Sequence, residues 1–115
     1  MSPGSPPLVV LVTGPDPEAL LALGRTLVEE RLAACVNVLP DVRSAYRWEG
    51  RVEEAGEALA LLKTTAERLD ALTARVRDLH PYEEPEVLAL PSAGGSSSYA
   101  AWVRASVAPE SQGRP

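Results

Sequence analysis

The stretch AACVNVLPDVRSAYRWEGRVEEAGEALALLKT, residues 33–64, constrains the fold more than any other. Residues 33–39 are apolar and rich in β-branched side chains, Pro40 interrupts them, and residues 42–48 resume with two-residue alternation. That pattern predicts one long strand, bent or bulged near the proline. Glu49 and Gly50 supply a tight turn, after which residues 51–64 return as an antiparallel partner. Such a hairpin is longer than a single domain built from 115 residues can cover from within.

The flanking segments complete a recognisable order. Residues 8–13 (LVVLVT) form a continuous apolar run ending at Gly14 and Pro15, short enough for a buried strand. Asp16 and Pro17 are an N-cap and a first helical residue, with Glu18 near the positive helix end. Leu20, Leu23, Leu27 and Val28 then recur at helical spacing toward Leu32, with Gly24 a mild interior penalty. Thr64 and Glu67 have capping-box spacing, and Leu69, Leu72, Val76 and Leu79 mark the inner face of a second helix that stops before His80 and Pro81. Residues 86–90 (EVLAL) read as a last strand closed by Pro91. A glycine and serine loop follows, then a short helix whose Tyr99, Trp102 and Val103 form one face that must dock. The order β, α, β, β, α, β predicts an α+β, ferredoxin-like βαββαβ sandwich with a short C-terminal helix. A single domain is expected over residues 8–107, with disordered tails at 1–7 and 108–115.

Composition narrows the function. With 45% hydrophobic and 23% charged residues, and apolar runs too short to span a bilayer, the chain reads as soluble rather than membrane-bound. The opening MSPGSPP lacks a secretory pattern, so the cytoplasm is the expected compartment. A net charge of -5 with scattered arginines opposes nucleic acid. The single cysteine excludes an internal disulfide. Gly94 and Gly95 lack the spacing and lysine of a phosphate loop, and pairing Cys35 with His80 as nucleophile and base would need an exposed thiol where the strand predicts burial. No enzymatic activity is expected.

The residues that carry chemistry are few. HPYEEPE, residues 80–86, holds the only histidine, a tyrosine, three carboxylates and two prolines. His80 reads either as an imidazole ligand partnered by Glu83, Glu84 or Glu86, or as a helix-end residue in a stiff turn. Cys35 is either a small core residue or a soft thiolate ligand for copper. One cysteine and one histidine cannot complete the four nitrogen and sulfur ligands of a closed structural zinc site. Ser44, Tyr46 and Trp48 share one strand face, opposite Arg43 and Arg47, which suits packing on a neighbouring subunit or the wall of a cleft near Tyr82. Lys63, the only lysine, precedes a helix N-terminus that favours an anion.

ERLAACVNVLP (30–40), SAYRWEG (44–50), the KT at 63–64, HPYEEPE and YAAW (99–102) together resemble the CutA divalent-cation tolerance family, in order and over residues 8–107. The resemblance implies a tight homotrimer whose long hairpin strands pair across subunits. It also implies binding of copper or another divalent cation in metal tolerance and homeostasis, without an organic cofactor. On that basis His80, Cys35, Glu84 and Glu86 are the expected metal ligands, while Tyr46, Trp48, Lys63, Tyr82 and Trp102 are expected at a cleft or interface. Other family members carry cysteines this chain lacks, which disfavours a site built on several thiolates. The family also resembles the PII signalling trimers, and this implies an alternative function: a signalling or scaffold trimer binding a small molecule or anion in an intersubunit cleft.

Overall fold

The computed structural model describes residues 4–109. Its elements are β1 (Leu8–Gly14), α1 (Pro17–Glu29), β2 (Cys35–Trp48), β3 (Arg51–Thr64), α2 (Ala66–Leu79), β4 (Leu88–Pro91) and α3 (Ser97–Val107). The four strands form one antiparallel sheet in the order β2-β3-β1-β4. With α1 and α2 packed on one face, this is the ferredoxin-like sandwich that the element order predicts. Among the described residues no helix is long and apolar enough to cross a membrane.

Strand alternation divides the sheet into two faces. Val10 and Val12 of β1 and Ala58, Ala60 and Leu62 of β3 point at the helices, where they meet Leu20, Leu23, Leu27, Leu72 and Val76. Each large side chain buried there contributes about 1.5–3 kcal/mol. Asp16 accepts from the Ala19 amide at 2.8 Å, so the expected cap of α1 is in place. The helix nevertheless ends before Leu32. Arg31 takes φ 61, and the Leu32 amide donates to Leu27 O at 2.8 Å while the Arg31 amide donates to Val28 O at 3.1 Å. This is a Schellman closure, with arginine where glycine is usual and with Leu27 and Leu32 both buried. Ala33 and Ala34 therefore belong to the connection, and β2 starts at Cys35.

Thr64 does not cap α2. It is the last residue of β3, fully buried, and its hydroxyl donates to Leu32 O at 2.7 Å. Thr65 stands at the N-cap without a side-chain cap bond. The fourth strand runs from Leu88 to Pro91 rather than over 86–90, and Pro91 is tolerated inside it because β4 is an edge strand. Ser92 donates from its amide and its hydroxyl to Pro7 O, at 3.3 and 2.7 Å, and Arg104 Nη1 donates to Ser5 O at 3.1 Å. Residues 4–7 of the expected N-terminal tail are thus tied to the domain; residues 1–3 and 110–115 lie outside the described residues. In α3 the docking side chains are Val103 and Val107, packed with Ala34, whereas Tyr99 and Trp102 stay about half exposed. The aromatic pair is not what anchors the helix.

The hairpin is as long as its sequence requires. Leu39 pairs with Leu59 and Val42 with Glu57, so a bulge falls at Pro40 and Asp41, the latter at φ 62. Glu49 and Gly50 have φ 51 and 80, the left-handed pair of a type I′ turn. Because β1 ends opposite Ala58, residues 42–57 project as a two-stranded arm, and the molecule extends 53 Å along its long axis. The sheet face turned away from α1 and α2 carries Val9, Leu11, Leu39, Leu59, Leu61, Leu88 and Leu90 in adjacent register positions. Leu39, Leu88 and Leu90 are 44, 54 and 43% exposed. Among the described residues nothing covers this face fully.

Candidate functional site

The rigid part of HPYEEPE is its histidine. Pro81 cannot continue α2, so the chain leaves the helix at His80 and turns toward the end of β1. His80 is 8% exposed, and both ring nitrogens are engaged: Nε2–H donates to Thr13 O at 2.6 Å, and Nδ1 accepts from the Tyr82 amide at 3.0 Å. That pairing fixes the neutral tautomer. The Tyr82 ring lies 4.7 Å from the imidazole, centroid to centroid. In this chain the imidazole splices the end of α2 to the end of β1, leaving neither nitrogen open to an ion.

Tyr82 extends from this splice toward the arm, where its hydroxyl donates to Glu57 Oε2 at 2.9 Å. Between the loop and the arm lies a cleft of about 880 Å³. Tyr46, Trp48, Tyr82, Glu57, Glu84 and Glu86 line it, together with Thr13 and Arg43. The strand-parity expectation that Tyr46 and Trp48 share a wall near Tyr82 corresponds to this geometry, and Glu84 and Glu86 stand on the same rim. Glu57 carries no sequence signal of its own, since its place depends on the bulge that sets the register of the arm.

The other expected residues lie elsewhere. Cys35 pairs with Lys63 at the opposite end of the hairpin, six positions along β3 from Glu57 and so roughly 20 Å away. Its sulfur is 3.7 Å from the Tyr99 hydroxyl, and that contact, followed by burial, raises the Tyr99 phenol above its ordinary range. Cys35 is half-buried rather than sealed in the core. Lys63 donates to Asn37 Oδ1 on the open face and is turned away from the amino end of α2. Trp102 stacks near Tyr99, with centroids 5.5 Å apart, and takes no part in the cleft. Among the described residues no three His, Cys, Asp or Glu side chains converge in a way that would hold a metal ion.

Burial, then the hydrogen bond from its hydroxyl to Glu57, pushes the Tyr82 phenol up to about 12. The folded state thus holds this proton where the unfolded chain, at 10.0, has released it. The corresponding stability is complete below pH 10 and lost as pH rises through about 12. Tyr82→Phe should flatten that alkaline loss in urea-unfolding midpoints measured across this window. Parallel curves for the two proteins would remove Tyr82 as the cause, because Tyr99 titrates in both.

A sequence profile described as CutA1 divalent ion tolerance protein matches residues 8–106. The chain belongs to the CutA family. It is 50% identical over 96 residues to the divalent-cation tolerance protein CutA of Thermus thermophilus, a match covering 84% of this chain and 93% of that one. It is 46% identical over 99 residues to the chloroplastic CutA protein of Arabidopsis thaliana, covering 86% of this chain and 54% of that protein. The crystal structure of CutA1 from Oryza sativa superposes with a TM-score of 0.88 at 43% identity, over 95% of this chain and all of that one. CutA membership agrees with the resemblance carried by the short motifs, and the shared backbone includes the long hairpin.

Proposed function

We propose that this CutA chain acts as a non-catalytic homotrimer in divalent-cation tolerance, and that it binds copper on the assembled protein rather than in a preformed site within one subunit. The observation that carries this reading is the uncovered apolar sheet face, which also bears the half-buried Cys35. A cyclic assembly closing three such faces together supplies the missing core and repeats each thiol three times. Copper is the ion of choice because a thiolate is a soft donor. Glu84 and Glu86, exposed on the cleft rim and distant from the Cys35 of their own subunit, serve in this reading as secondary oxygen donors to copper held by the thiolate of a neighbouring subunit. The compartment proposed is the cytoplasm, although relatives are named for the chloroplast in Arabidopsis thaliana and for the periplasm in Archaeoglobus fulgidus; cell fractionation decides it.

The test is a competitive-chelator titration of copper and zinc on the purified assembly under reducing conditions. Cys35→Ser should weaken copper at least tenfold, a loss of about 1.4 kcal/mol. His80→Ala should leave copper affinity unchanged and lower unfolding stability by about 2 kcal/mol, because it strands the Thr13 carbonyl and the Tyr82 amide. Copper binding lost in His80→Ala and kept in Cys35→Ser would reverse the assignment.

A second reading is supported by the cleft between the arm and the loop: a PII-like signalling or scaffold trimer that takes a small molecule there. Its volume is within the range of about 300–1,000 Å³ usual for such sites. Saturable binding of a small molecule to metal-free protein would favour it.

A further inference from the structure

The cleft has a chemistry of its own. Three aromatic residues line it, Tyr46 and Trp48 from the arm and Tyr82 from the loop, beside Ala45, Pro81 and Pro85. Its polar lining is mostly acidic: Glu57, Glu83, Glu84 and Glu86 are set against the single guanidinium of Arg43. Arg77 offsets one of these carboxylates, lying 3.6 Å from Glu84 at the rim. Aromatic faces attract cations through the ring quadrupole, and cages of such rings recognise ammonium groups too large and too weakly hydrated for oxygen ligands. A bare divalent ion suits this place poorly. Calcium needs about six to eight oxygens at close range, and no three acidic side chains converge here. An anion would meet four carboxylates. A neutral apolar guest would leave them without a counter-charge.

We infer that the cleft binds the ammonium head of a small organic cation, held between the Tyr46, Trp48 and Tyr82 rings with Glu57 and the rim glutamates as counter-charge. This rests on the second reading above and names its ligand class. The site is organised in advance. Tyr82 is fixed on one side by the His80 ring and on the other by its hydrogen bond to Glu57. That bond also places a carboxylate oxygen 2.9 Å from the phenol oxygen, so negative charge sits beside the ring that meets the cation. Trp48 and Tyr46 are 43 and 44% exposed on the arm of the single subunit, so neither ring is spent on the core of its own chain.

Three probes of nearly one shape separate the possibilities, each titrated calorimetrically into the metal-free native assembly. They are choline, its uncharged isostere with a tert-butyl group in place of trimethylammonium, and the tert-butylacetate anion. One choline should bind per subunit, with the isostere at least tenfold weaker and no measurable binding of the anion. Trp48→Leu, at an exposed arm position outside the core, should weaken choline at least fivefold with an unchanged circular dichroism spectrum. Equal binding of choline and isostere, or preference for the anion, would overturn the cation assignment while leaving a small-molecule cleft. Silence from all three probes would overturn both. Choline affinity unaltered in Trp48→Leu would place the binding elsewhere and sink the inference as well.

Discussion

Leu88→Glu should leave the subunit folded and reduce the assembly to single chains. Leu88 is 54% exposed on β4, so its side chain contributes little to the core between sheet and helices. Across the sheet it continues the row through Leu11 and Leu61, in the middle of the open apolar face. If three such faces meet, one substitution buries three carboxylates together, each at a desolvation cost of several kcal/mol and without a counter-ion. Light scattering should then report the mass of one subunit, where the proposed trimer of the unmodified protein would give the mass of three. Leu21→Glu is the matched control. Leu21 is similarly exposed, at 51%, but lies on the outer side of α1, where substitutions stay within about 0.5 kcal/mol and should not change the mass. A threefold mass retained by Leu88→Glu would mean that this face is not the assembly surface.

Much of the fold was legible because local chemistry and tertiary structure agree. The apolar run of β1, the Asp16 cap with Pro17 and the Glu49 and Gly50 turn each need only their neighbours, and each stands where the sequence puts it. Thr64 was misread because two local rules apply to it at once. It has capping-box spacing to Glu67, but strand parity turns it inward, and the Leu32 carbonyl, 32 residues away, decides in favour of the strand. The start of the last strand moved for a related reason: Glu86 lines the cleft, and the chain after Pro85 does not pair with β1 until Leu88. At α3 the sequence showed an apolar face without showing which members of it dock.

The candidate site divides the same way. Tyr46, Trp48 and Tyr82 could be brought together from strand parity and one short motif. Glu57 could not, because the bulge at Pro40 and Asp41 sets its register. The two meanings of His80 could not be separated either, since its partner is the Thr13 carbonyl, 67 residues distant. Metal-ligand residue types close in sequence do not amount to a site when one of them is spent on backbone hydrogen bonds.

Gly24→Val should destabilise the protein by about 3 kcal/mol, and even Gly24→Ala should lower stability, by about 1 kcal/mol, instead of raising it. In an unconstrained helix interior, alanine is better than glycine by about 1 kcal/mol. Here α1 crosses the sheet so closely that a Cβ at Gly24 would lie 2.7, 2.8 and 2.9 Å from Cγ2, Cγ1 and Cβ of Val36. The first two atoms belong to a side chain that can rotate. The third is fixed to the backbone of β2, so the helix itself must lift, loosening the contacts of Leu20, Leu23 and Leu27 beneath it. The glycine that looked like a mild penalty in the sequence is therefore the residue that allows helix and sheet to meet. Chemical denaturation of the two variants, with Val36→Ala alone and combined with each, separates the causes. Removing the Val36 methyls should recover part of the loss and leave the share due to its Cβ, giving a coupling of about 1 kcal/mol with Gly24→Val. Additive losses, or a Gly24→Ala protein more stable than its parent, would show that the close approach does not control this position.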